Sequence, residues 1–101
     1  MAAVYPDARN AFAHPELLLH EGLEPWVVPE VWLSGGVEPN TYVDITDTFD
    51  RKVTALRQHV SQNTGGEGFD ERMRTWTAAI AKRGGLGEGR LAEVFQVVGT
   101  A

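Results

Sequence analysis

The sequence predicts an α/β unit with very little sheet, and three observations point there. Apolar residues recur at helical spacing in two neighbouring stretches: Phe49, Val53, Leu56 and Val60, then Phe69, Met73, Trp76 and Ile80. β-branched and aromatic residues gather in three short runs, at 31–33, 42–45 and 91–98. The resulting order is turn, strand, strand, helix, helix, strand. Three short strands cannot easily cover two amphipathic helices and three tryptophans, so the chain reads as one partial domain, 1–101, of a larger sheet domain.

Taken in order, "AAVYPDARN" is short and holds a proline, so it reads as the end of an element. In "AFAHPELLLHEGLEP" Pro15 opens a short helix carrying Leu17, Leu18 and Leu19, and Gly22 stops it. Val31, Trp32 and Leu33 form a strand between Pro29 and the Gly35–Gly36 pair. "EPN" is a turn, and Tyr42 to Ile45 make a second strand. The clearest element is "TDTFDRKVTALRQHVSQN", a helix with Thr46 and Asp47 as candidate N-caps and acids in its first turn. "NTGGEG" breaks the chain. "FDERMRTWTAAIAKRGG" repeats the spacing, keeps Arg72, Arg74, Lys82 and Arg83 off the stripe, and stops at Gly84–Gly85. Matching stripes joined by a short glycine-rich link predict an antiparallel helix pair. A strand at 91–98 follows.

Composition narrows the function classes. A 43% hydrophobic, 23% charged chain folds rather than staying disordered. The net charge is −5 with no basic block, which argues against nucleic acid or an anionic membrane as the main partner. There is no cysteine, which removes disulfides, thiolate nucleophiles and cysteine zinc sites, and suits a cytoplasmic protein. No apolar run approaches the ~20 residues of a membrane span. "MAAVYPDARN" lacks the basic start and apolar core of a signal peptide.

Few residues stand out as chemical candidates. His59 falls at the edge of the first apolar stripe, on the flank of Lys52, and fits either a helix-end residue or one near a substrate site. Ser61 and Gln62 suit a helix end. Positions two apart on a helix point about 200° apart, so His59 and Ser61 do not form a nucleophile–base pair unless the helix ends between them. His14 and Glu16 in "AHPEL" have the look of a zinc-site start, but no apolar strand precedes them, and His14–Pro15 reads as a turn into a helix. Asp44 in "YVDIT" either serves a site or bonds the amides of the following helix. Asp47 and Asp50 are helix-start acids. "GGLGEG" is no phosphate loop, because no strand comes directly before it and no Gly-Lys-Ser/Thr follows. Spacing alone assembles no triad, metal cluster or nucleotide loop.

Four blocks carry a resemblance: "VYPDARNAF", "EGLEPWVVPEVWL", "PNTYVDITDTFDRKVTALRQHVSQ" and "LAEVFQVV". In order and spacing they resemble the C-terminal part of the PIG-L/LmbE-like deacetylases, with "VDIT…K…AL..H.SQ" the most specific, and the likeness covers nearly the whole chain. The resemblance implies a Rossmann-like fold and zinc-dependent removal of N-acetyl groups from N-acetylglucosamine-type substrates or cleavage of thiol-conjugate amides. In such an enzyme a metal-activated water attacks the amide carbonyl and an acid serves as base. The family's His-Pro-Asp-Asp motif and its further histidine precede the matched region. Laid on "HPEL", that motif would put Leu17 at a zinc ligand, which leucine cannot be. The resemblance therefore assigns this chain no catalytic residue and no metal ligand, and no zinc of its own. It does assign Asp44, Lys52, His59, Ser61 and Gln62 as signature positions, which either hold the C-terminal helix against the catalytic domain or line the edge of the substrate cleft.

The expected partner is therefore a missing N-terminal catalytic half, with an amidosugar substrate only in the complete enzyme. The rival expectation is a binding or scaffold module that docks or self-associates through an unfinished sheet edge and Trp26, Trp32 or Trp76. A small independent enzyme built on His14, His20 or His59 is the third.

Overall fold

The computed structural model describes residues 4–62 and 66–100. The first half of the expected glycine-rich link, residues 63–65, lies outside them, as do 1–3 and 101. Two helices lead, α1 (Val4–Ala8) and α2 (Pro15–Glu21). Strands β1 (Glu30–Ser34) and β2 (Thr41–Asp44) follow, then a 3-10 turn (Thr46–Thr48) running into α3 (Phe49–Arg57), a second 3-10 turn (Val60–Gln62), α4 (Phe69–Arg83) and β3 (Ala92–Gly99).

From β1 onward the predicted order of strand, strand, helix, helix, strand is found, while Val4–Ala8, read from its proline as the end of an element, forms the short helix α1. Every strand pair is antiparallel, in the order β1-β3-β2. The sheet is staggered. β1 pairs with Phe95–Gly99, whereas β2 pairs with Ala92–Phe95, so Phe95 alone faces a partner on both sides, Ser34 and Thr41. Asn40 extends the β2 side with its own side chain. Its Oδ1 accepts the Val97 N–H at 2.8 Å, and its Nδ2 donates to the Val97 carbonyl at 3.0 Å. These are the two bonds a further strand residue would have made.

The core lies where α3 and α4 meet the first half of β3. Phe49 and Val53 of α3 bury against Leu91, with Ile45, Phe69, Met73 and Ala78 around them. Ile80 and Ala81 of α4 bury against Ala92, beside Tyr42, Leu86 and Val94. The helix pair is antiparallel. Arg57 at the end of α3 pairs with Asp70 at the start of α4, while Arg74 lies 4.5 Å over the Phe49 ring at the start of α3.

Two helical details differ from the sequence reading. The first predicted helix does not run to Gln62. The amides of Gln58 and His59 bond three residues back, to Ala55 and Leu56, and tighten the end. Val60, the fourth stripe residue, is 81% exposed. Without an apolar neighbour there, nothing repays the ordering of another helical turn. On α4 the buried line runs through Thr77, Ile80 and Ala81, and Trp76 is 62% exposed. Thr77 occupies the core because its hydroxyl bonds the carbonyls of Met73 and Arg74 within its own helix. With Ala81 and Gly84 it forms a low face that lets α4 approach Ala92 and the Tyr42 ring closely.

The N-terminal segment behaves differently. Pro15 opens α2, and Gly22 closes it in a left-handed conformation (φ 68°), with Gly22 bonded to Leu18 and Leu23 to Leu17. Yet α2 buries no residue. Phe12, Leu19, Leu23, Trp26 and Val27 are all more than half exposed. The radius of gyration is 18.2 Å, against about 13 Å for a compact chain of this length.

Candidate functional site

Asp44 closes β2, where its carboxylate organises a corner. Oδ1 accepts both the N–H (2.9 Å) and the hydroxyl (2.6 Å) of Thr46, an Asx turn. The Thr46 hydroxyl oxygen in turn accepts the Leu91 N–H at 3.0 Å, and Ile45 donates to the Leu91 carbonyl at 2.8 Å. Arg90 stands 3.5 Å from Asp44 Oδ2. The Thr46 hydroxyl foremost, then its N–H, hold the Asp44 carboxyl below its ordinary 3.8; burial opposes them and the Arg90 charge adds to them. One carboxylate thus ties the end of β2, the entry to α3 and the entry to β3.

Lys52, two turns of chain further on, is salt-bridged to Glu93 of β3, and both side chains are about one-third exposed or less. The pair lines a groove of about 400 Å³ whose apolar wall includes Met73, Trp76, Ile80, Val94 and Phe95, with Arg83 also on it. Its surroundings suit an ion pair that fixes α3 on β3, since a half-buried pair between two packed elements is screened less than a surface one.

His59, Ser61 and Gln62 lie elsewhere, beyond the end of α3. His59 sits between that helix and the following 3-10 turn, its N–H on Leu56 and its carbonyl accepting from Gln62. All three are exposed. The helix does end before His59, so continuous-helix geometry no longer governs the His59–Ser61 relation. The five signature residues therefore split into a junction set, Asp44 and Lys52, and a surface set at the opposite end of α3. Sequence reading missed Thr46's true role, since it took that hydroxyl for a helix cap, and it missed Glu93 and Arg90 altogether. A lone carboxylate inside the apolar run "LAEVFQVV", opposite in sign to Lys52, was the available signal for Glu93.

At "AHPEL", His14 precedes Pro15 at the start of α2, with Nδ1 3.5 Å from Glu16. Among the described residues no group of three or more His, Asp or Glu side chains gathers closely enough to hold a metal ion. No described helix is long and apolar enough to cross a membrane. Compared with protein-family profiles, curated proteins and solved structures, the chain matches none.

Proposed function

We propose that this chain is the C-terminal, non-hydrolytic portion of a PIG-L/LmbE-like deacetylase domain and that it works by packing against a metal-bearing half. The signature blocks motivate the family. The observation that carries the docking role is the exposed apolar N-terminal segment, where Phe12, Leu19, Leu23, Trp26 and Val27 lie open on a chain far more extended than its length requires. The free edges of the staggered sheet support the same reading, because an antiparallel unit can join the edge of a mostly parallel, Rossmann-like sheet. Asp44 and Lys52 favour the positioning role over the cleft role, since both hold α3 against the strands. Zinc, substrate and base then belong to the complementary half.

The test is N-deacetylation of N-acetylglucosamine conjugates with added zinc. The chain alone is expected to give no turnover. It should restore activity to a PIG-L-like enzyme cut before the segment equivalent to these residues. Robust turnover by the chain alone overturns the proposal. The second reading, a scaffold module without any deacetylase partner, rests on the same exposed segment and on Trp32 and Trp76, both also exposed. It gains if the chain self-associates but neither binds nor rescues such a half.

A further inference from the structure

A second concave region, unconnected with the deacetylase reading, lies where α4 gives way to "GGLGEG". Its volume is about 680 Å³, and the cations on its wall are Arg74, Lys82 and Arg90 against one carboxylate, Glu88. In a chain of net charge −5 this is a local gathering of cations, with Asp50 beside Arg74 and Asp44 beside Arg90 just outside the wall. Two of the cations are fixed by packing. Arg74 is stacked on Phe49 and stands 4.0 Å from Asp50 Oδ1, and Arg90 is held beside Asp44 through one oxygen at 3.5 Å. Each guanidinium keeps donors to spare. Lys82, in the last turn of α4, forms no ion pair among the described residues.

The loop supplies a second kind of donor. Gly85, Gly87 and Gly89 all have positive φ (72°, 95° and 74°), and a Cβ added at any of them would meet open space. The amides of Gly87, Glu88 and Gly89 donate to no described protein acceptor. Backbone N–H groups without neighbouring side chains can approach an oxyanion directly. We infer that this depression binds a dianionic phosphate group, with Arg74, Lys82 and Arg90 supplying charge-assisted hydrogen bonds and the 87–89 amides completing the oxygen contacts. The volume exceeds one phosphate, and Leu91 lines the apolar part of the wall. That remainder accepts the organic body of a phosphomonoester. The device is not a nucleotide P-loop: its cations come from the preceding helix and the following strand entry.

The test uses the full chain, 15N-labelled, titrated separately with inorganic phosphate and glucose 6-phosphate at constant ionic strength, with amide shifts followed by NMR. Saturable shifts are expected at residues 85–91. Lys82→Ala should weaken binding at least fivefold, while Arg72→Ala, a cation outside the depression, should leave it unchanged with the spectrum otherwise native. Tighter binding of the sugar phosphate assigns the site to phosphomonoesters, and equal binding assigns it to free phosphate. Absence of saturation at 85–91, or equal weakening by both variants, overturns the inference.

Discussion

Gly84 gives the sharpest check on how α4 meets the sheet. Its backbone is ordinary right-handed helix (φ −82°, ψ −2°), so alanine is conformationally acceptable there. What alanine meets is the Tyr42 ring. A Cβ would stand 2.5 Å from Cδ1 and 2.6 Å from Cγ, with Leu86 Cδ1 at 2.9 Å. Carbon atoms rest at about 3.5–4.0 Å, so the ring must retreat by roughly 1 Å. Tyr42 has little room to do so, because it pairs with Val94 and packs on the Ile80–Ala81–Ala92 cluster. Overpacking of this kind costs about 1–3 kcal/mol. Restricting the unfolded chain by replacing glycine with alanine returns about 0.4–1 kcal/mol. Gly84→Ala should therefore lose roughly 1–2 kcal/mol, and at about 4–8 °C per kcal/mol for a domain of this size its Tm should drop by roughly 5–15 °C.

Urea unfolding followed by far-UV circular dichroism measures this. Tyr42→Ala supplies the second edge of the cycle. In that background Gly84→Ala should become neutral or stabilising, a coupling of about 1–3 kcal/mol. Gly85→Ala is the contrasting control. It meets no neighbour but sits at φ 72°, so its cost of about 1–2 kcal/mol is backbone strain and should persist when Tyr42 is trimmed. Wild-type stability in Gly84→Ala, or an equal loss with and without the Tyr42 ring, would refute the close approach of α4 to β2.

Two further outcomes follow from the corners of the fold. Asp44 has a folded pKa held below 3.8, so its stabilising contribution is complete above that value and is lost as the pH falls through the folded pKa. The gap in urea midpoint between wild type and Asp44→Asn should be widest near pH 6 and shrink below pH 4, and a gap that is flat with pH would count against the Thr46 hydrogen bonds as its source. Asn40→Ala removes both bonds to the Val97 main chain at about 0.5–1.5 kcal/mol each. Amide exchange at Val97 should accelerate ahead of that at Glu93, which sits opposite Val43 in the β2 ladder, and unchanged exchange at Val97 would deny the strand mimicry.

How much of this was legible follows from what a sequence period encodes. The strands, α2 with its Pro15 start and Gly22 stop, and the antiparallel helix pair were readable because each is set by local pattern and by glycine or proline chemistry. Trp76 and Val60 misled because the period marks a face, not what covers it. Thr77 won the core position on α4 by being small and by bonding its hydroxyl within its own helix, two properties absent from a hydrophobic count. The stagger of β3 was hidden for a related reason. Alternation along "LAEVFQVV" says which residues share a face but nothing about which stretch meets which neighbour. On the β2 side that register is fixed by Asn40 at one end of β2 and by the Thr46–Leu91 bond at the other, both side-chain-to-backbone contacts spanning more than forty residues. The same holds for the signature positions. Asp44 and Lys52 could be read as belonging together only once Arg90 and Glu93 stood beside them, and β3 alone supplies that meeting. The block "VDIT…K" is thus best understood as one half of a latch whose other half is the strand entry at 90–93, and that reading explains why both ends carry opposite charges at the junction.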